Sequence, residues 1–113
     1  MTTRLRRAPL EARQIAEAAQ MIRVLGHPVR LRIVEALEHG ERCVSELQLE
    51  LAAPQAVVSQ QLARMRAAGI VRCRREGANV RYCINDERVL RVLDCLRHCE
   101  VPQRRARQTA GTP

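Results

Sequence analysis

Val44-Ser45-Glu46-Leu47-Gln48-Leu49-Glu50-Leu51-Ala52-Ala53-Pro54-Gln55-Ala56-Val57-Val58-Ser59-Gln60-Gln61-Leu62 carries the strongest structural signal in the chain. It predicts a short amphipathic helix, a breaker at Ala52-Ala53-Pro54 and a second helix rich in hydrogen-bonding side chains, which together make a helix-turn-helix. Pro54 suits the first turn of that second helix, where the N–H it lacks is unpaired in any case. The helix continues through Met65 and Arg66, and Val58, Leu62 and Met65 recur at i, i+4 and i+7 as a buried stripe. Gln55, Ser59, Gln60 and Arg64 are left pointing outward. Side chains of these types read base edges or hold phosphates in a major groove.

Beyond Gly69 the hydrophobic period changes from 3.6 to 2. Ile70-Val71-Arg72-Cys73-Arg74-Arg75 and Val80-Arg81-Tyr82-Cys83-Ile84 flank a polar tip at Glu76-Gly77-Ala78-Asn79, which predicts a β-hairpin. Arg64, Arg66, Arg72, Arg74, Arg75 and Arg81 face only Glu76 in this part of the chain. A basic hairpin directly after a reading helix is a wing, an arm that lies along the DNA backbone or enters the minor groove. Arg74, Arg75 and Arg81 are its candidate phosphate contacts.

Working outward, Ile15, Ala18, Ile22 and Leu25 stripe a first helix that Gly26 ends, and Pro28 opens a second carried by Val29, Ile33, Val34 and Leu37 and stopped by Gly40. Val44, Leu47 and Leu51 belong to the third. At the other end, Asn85 is placed to cap a last helix running to about Cys99, with Asp86 and Glu87 in its first turn favouring the dipole. The predicted fold is therefore mostly α with a β-hairpin wing: four helices, two strands and a fifth helix. Residues 1–9 read as a flexible basic arm, 10–100 as the domain and 101–113 as a disordered basic tail.

Val89, Val92, Leu93 and Leu96 give the last helix one apolar stripe, although the middle helices already supply a core for so small a domain. A second copy of the chain is the natural cover, with the first helix joining the same interface. Two-fold symmetry would then set two reading helices about 34 Å apart on a roughly palindromic operator of double-stranded DNA.

The 113 residues amount to one domain with net charge +8, and all twenty basic residues are arginine, the side chain suited to bidentate phosphate and guanine contacts. No apolar run approaches the ~18 residues of a membrane span, and the amino end carries no secretory signal pattern. The expectation is a cytoplasmic protein with no membrane partner. Its five cysteines are then reduced, and their odd number argues against a closed set of intrachain bridges.

Three separated segments carry a resemblance. Leu25-Gly26-His27-Pro28-Val29-Arg30-Leu31-Arg32-Ile33, then Val57 through Val71, then Arg74-Arg75-Glu76-Gly77 with Val80-Arg81-Tyr82, agree in order and spacing with the ArsR/SmtB family of bacterial winged-helix repressors, over about residues 12–99. The chain resembles that family; the resemblance implies a homodimer that occupies operator DNA and lets go when an effector binds.

Cysteine placement bears on the effector. Cys95 and Cys99 are four apart on the last helix, so their β-carbons lie about 5–6 Å apart on one face, within reach of one soft ion. Zinc, cadmium and trivalent arsenic or antimony all accept sulfur; a third ligand would be a partner cysteine, Cys43, His98, or a solvent or small thiol. The bland reading is that both are small buried hydrophobes. Cys43 is similar to the first position of a Cys-Val-Cys pair in metal-sensing family members, but Ser45 and Gln48 break that pattern. Of the family's carboxylate and imidazole zinc set on the last helix, Asp86 fits one position and Cys99 falls at a histidine position, while Arg88 and Pro102 occupy the others. Sulfur-rich variants of the family bind trivalent arsenic, and this chain looks closer to them. The expected effector is thus a thiophilic metalloid or metal, with no cofactor required.

Oxidation or persulfidation is the competing chemistry. Arg91 and Arg88 would favour a thiolate at Cys95 while the helix dipole opposes it. The family positions that pair in reactive-sulfur sensors hold Glu35 and Val101 here, leaving Cys43 with Cys99 as another pair. Strand alternation sends Cys73 inward with Val71 and Cys83 to the opposite face, against a mutual bridge. An enzyme has little support: His27, His39 and His98 are scattered, no glycine-rich phosphate loop exists, and Asp86 and Asp94 sit eight apart without a cleft. His27 reads as a turn residue and His39 as a helix-end residue. From another class, a winged-helix protein-interaction module fits the same elements.

Overall fold

A computed structural model describes residues 7–99. The terminal tail and all but the last three residues of the amino-terminal arm lie outside that range. The described chain runs α1 (Ala12–Leu25), α2 (Pro28–Leu37), β1 (Arg42–Cys43), α3 (Val44–Leu51), α4 (Gln55–Ala67), β2 (Val71–Glu76), β3 (Asn79–Ile84) and α5 (Arg88–His98). This is the winged helix-turn-helix arrangement, with one addition to the sequence reading. The two residues before α3 form a strand, so the hairpin is part of a three-stranded antiparallel sheet ordered β1-β3-β2. Two residues are too few for a period to register, and only pairing with the distant β3, Arg42 opposite Tyr82 and Cys43 opposite Arg81, makes them a strand.

Local chemistry sets the helix ends. The Glu11 N–H donates to the Gln14 side chain at 2.8 Å and opens α1. His27 is the N-cap of α2, its Nδ1 accepting from the Val29 N–H at 3.1 Å with Pro28 at the first helical position. Glu46 reaches back to the Cys43 N–H at 2.9 Å and opens α3. Ala52, at φ 53°, ends α3 in the left-handed region, a conformation that costs an alanine roughly 1–2 kcal/mol but turns the chain within three residues. Pro54 sits at the N-cap of α4, one position before the first turn anticipated for it.

The cap of α5 differs from expectation. Asn85 donates its side-chain amide to the Gly69 carbonyl at 3.0 Å, tying the end of the wing to the end of α4, and Asp86 accepts the Arg88 N–H at 3.1 Å instead. Asn85 is the better cap by type; its use as a cross-link is fixed by a neighbour sixteen residues away.

One core holds these elements. Ile33, Val34, Leu47, Val58, Leu62, Met65 and Val89 are fully buried, joined by Leu37, Ile70, Val71 and Leu93. The α4 stripe Val58-Leu62-Met65 is buried as its spacing requires. The α5 stripe is split: Val89 and Leu93 close this core against α2, whereas Leu96 remains 54% exposed. In α1, only Leu25 is buried, and Ile15 and Ile22 are 50% and 62% exposed.

Candidate nucleic-acid interface

With its apolar stripe against the core, α4 turns Gln55, Ser59, Gln60 and Arg64 to solvent, and all four are exposed as the spacing predicts. Arg64 and Arg66 have no ion-pair partner among the described residues. The face therefore offers amide, hydroxyl and guanidinium groups with nothing acidic to repel a phosphate.

Gln61 is the polar residue of α4 that sequence reasoning passed over. It is 8% exposed and accepts from Arg30 Nε at 2.7 Å, while Arg30 Nη1 donates to the Val24 carbonyl at 2.9 Å. Arg30 thus joins the last turn of α1, the start of α2 and the middle of α4 through one planar group. A buried amide oxygen that takes a charged donor fixes the roll of α4 about its axis. The signal was present in the spacing, because residue 61 falls at i+3 from Val58 and i−4 from Met65, on the buried stripe.

In the wing, cross-strand pairing sorts the side chains. Val71, Cys73, Tyr82 and Ile84 share the core face, and Arg72, Arg74, Arg81, Cys83 and Cys43 share the outer face. Cys73 and Cys83 consequently point to opposite sides. Of the three candidate wing arginines, Arg75 is exposed and makes no ion pair among the described residues. Arg74 and Arg81 stand opposite each other on β2 and β3, and both are engaged by Glu41. Arg74 Nε and Nη2 donate to the two Glu41 carboxylate oxygens at 3.0 and 2.7 Å, and Arg81 Nη2 donates to the Glu41 backbone carbonyl at 3.1 Å. Glu76 lies 3.7 and 3.8 Å from the two guanidinium groups, and Glu46 lies 3.6 Å from Arg81. Paired with Arg74, the Glu41 carboxyl is held below its ordinary range and the Arg74 guanidinium is raised above its own. The local excess of positive charge counted along the sequence omitted Glu41 and Glu46, which the fold imports from 33 to 40 residues away.

The cysteines proposed as ligands fall in two places. Cys95 and Cys99 are both exposed at the carboxyl-terminal end of α5, Cys99 being the residue that ends the helix. His98 Nδ1 lies 2.9 Å from the Asp94 carbonyl in the same turn. Cys43 is half-buried at the N-cap of α3, its sulfur 3.1 Å from the Ser45 hydroxyl, on the outer face of the sheet. Among the described residues no three His, Cys, Asp or Glu side chains converge as a metal-binding group. Arg88, expected beside Cys95, instead forms a bidentate pair with Asp86 at 3.0 and 2.7 Å, which occupies that carboxylate and lowers its pKa. Arg97 pairs with Glu38 and Asp94, tying the end of α5 to the end of α2. No helix of the described residues is long and apolar enough to cross a membrane.

A reading helix held on a single core, with a paired hairpin beside it, defines a winged helix-turn-helix DNA-binding domain. Residues 27–72 match the model of the bacterial regulatory proteins of the arsR family. The HTH-type transcriptional repressor SmtB of Mycobacterium tuberculosis is 42% identical over 88 residues, covering 76% of this chain and 65% of that protein, so the chain spans just under two thirds of that relative. The biofilm growth-associated repressor of Agrobacterium fabrum is 35% identical over 88 residues, covering 78% and 75%. Among solved structures, the AntR antimony-specific transcriptional repressor superposes with a TM-score of 0.72 at 34% identity, covering 80% of this chain and 86% of that one. The chain belongs to the arsR family of bacterial DNA-binding regulators.

Proposed function

We propose that the protein is a homodimeric repressor that occupies a roughly palindromic operator and is released by a thiophilic metalloid, trivalent arsenic or antimony, bound through Cys95 and Cys99. The observation that carries the DNA reading is the exposed, unpaired row Gln55, Ser59, Gln60 and Arg64 on a helix whose opposite stripe is wholly buried. Dimerisation is supported by Ile15, Ile22 and Leu96, large side chains on the first and last helices that the chain's own core leaves uncovered. A second protomer burying them would bring two α4 helices to successive major grooves.

The effector reading is supported by two exposed thiols one helical turn apart and by the likeness to an antimony-specific repressor. Each arsenic–sulfur bond replaces one hydroxyl of arsenous acid, which leaves as water with the thiol proton, so no oxidant is required. With no third side chain converging among the described residues, the remaining ligand comes from the partner subunit, from a small thiol or from solvent. A ligand at the end of α5 reaches α2 through the Arg97–Glu38 pair, and α2 reaches α4 through Arg30 and Gln61.

Gel retardation of duplex from upstream of its own gene tests both parts. Affinity should fall steeply between two salt concentrations, and arsenite should release wild-type protein but not Cys95→Ser, whose effector-free binding is unchanged. Retention of the arsenite response in Cys95→Ser would remove the α5 site, and indifference to every duplex from its genome would remove the repressor.

A further inference from the structure

We infer that Glu41 is a resident competitor for the wing arginines, holding Arg74 and Arg81 away from DNA phosphates so that Arg72 and Arg75, exposed and without a carboxylate partner among the described residues, are the cations the wing presents. The inference rests on the DNA-binding reading above. Glu41 lies in the connection between α2 and α3, and β1, which follows it directly, pairs with β3 and fixes its carboxylate over the outer face of the sheet. There it makes the two-point contact with a guanidinium that a phosphate would otherwise make, at 2.7 and 3.0 Å to Arg74, and it lies 3.5 Å from Arg81 Nε. Glu76 and Glu46 complete a ring in which three carboxylates face two guanidinium groups.

Counterion bookkeeping gives this a measurable consequence. An arginine that meets a phosphate from solution displaces about 0.9 condensed cations from duplex DNA. One that stays on Glu41 meets no phosphate and displaces none. Arg74 and Arg81 therefore add little to the salt dependence of the native protein, although by composition they belong to its most basic segment. The same contact links the wing to the start of α3, because Glu41 and Cys43 flank Arg42 in one extended segment.

The test is the slope of log K against log salt, measured on the full chain with duplex from upstream of its own gene. Glu41→Gln keeps the size and hydrogen-bonding reach of the side chain and removes its charge. It should bind more tightly at low salt, with a slope steeper by about one to two. Arg74→Gln should change the slope little in the native background and return about 0.9 of it in the Glu41→Gln background. Glu35→Gln, which removes a carboxylate paired with Arg32 on α2, controls for net charge and should leave the slope unchanged. If Glu41 serves only to brace the hairpin, Glu41→Gln will bind less tightly with an unaltered slope, and that result overturns the inference. An equal rise in slope for Glu35→Gln also overturns it. Native protein that ignores duplex altogether removes the DNA reading itself, a failure visible before any variant is made.

Discussion

The reading helix and the wing both carry arginine, and the fold treats them oppositely. On α4, Arg64 and Arg66 emerge beyond the buried stripe and meet no acid among the described residues. On the sheet, Arg74 and Arg81 are ringed by Glu41, Glu46 and Glu76. A helix surface sees mainly its own i±3 and i±4 neighbours, so the charge of α4 is set locally. A strand's neighbours are wherever the pairing puts them, so the charge of the wing is set by residues 33 to 40 positions away. Net charge along a segment is thus a fair guide to the first surface and a poor one to the second.

Unseating α4 would remove the reading surface altogether. Leu62 is fully buried in the middle of the stripe, and Leu62→Ala should cost about 2–5 kcal/mol through lost burial and the cavity left behind. Denaturant unfolding followed by circular dichroism would show a lower midpoint with an unchanged m-value. A loss under 1 kcal/mol would mean that α4 is not held by this core.

At equal charge, helix and wing are separated by a smaller effect. Arg64→Gln and Arg74→Gln each remove one cation, yet Arg64→Gln should reduce the salt slope by about 0.9 and Arg74→Gln should scarcely move it. Gln60→Ala should instead relax base preference at one operator position, worth about 1–3 kcal/mol of discrimination, with the salt slope intact. Competition gels with single-base operator variants separate these outcomes, and equal slopes for the two arginine variants would erase the distinction between helix and wing.

What the sequence made legible follows from the same contrast. The order of the helices, the buried face of α4 and the outward row Gln55, Ser59, Gln60 and Arg64 all rest on a period of 3.6 within a dozen residues, and each is found in place. The hairpin rests on a period of 2 around Gly77, whose φ of 62° at the tip suits glycine. Three features were hidden for one shared reason. β1 exists only because β3 pairs with it, Asn85 is diverted from capping by the Gly69 carbonyl, and Glu41 finds Arg74 across 33 residues. In each case the deciding partner is remote, and the local signal is silent or, at Asn85, points to a cap instead. Gln61 differs, since its place on the stripe was there to be read and only its polarity concealed it.

The finest discrimination lies in the titration of Glu41. Its pKa is lowered from 4.5, first by the hydrogen bonds from Arg74, against a smaller opposing cost of desolvation, and further by the charges of Arg74 and Arg81. A carboxyl depressed in the folded state contributes stability that is fully present above its unfolded value and is lost as pH falls through the folded one. The wing clamp should therefore persist unchanged from neutral pH down to the ordinary carboxylate range and open only below it. NMR titration of the side-chain carboxyl carbon in the free protein should place Glu41 under 4.5, and Arg74→Gln should move it back toward that value. Among the described residues no acidic neighbour clamps α4, so amide shifts around Arg64 should stay flat over the same interval. A Glu41 that titrates at its ordinary value would mean that the ring of carboxylates does not close on the wing in solution, and helix and hairpin would then offer their arginines to DNA on equal terms.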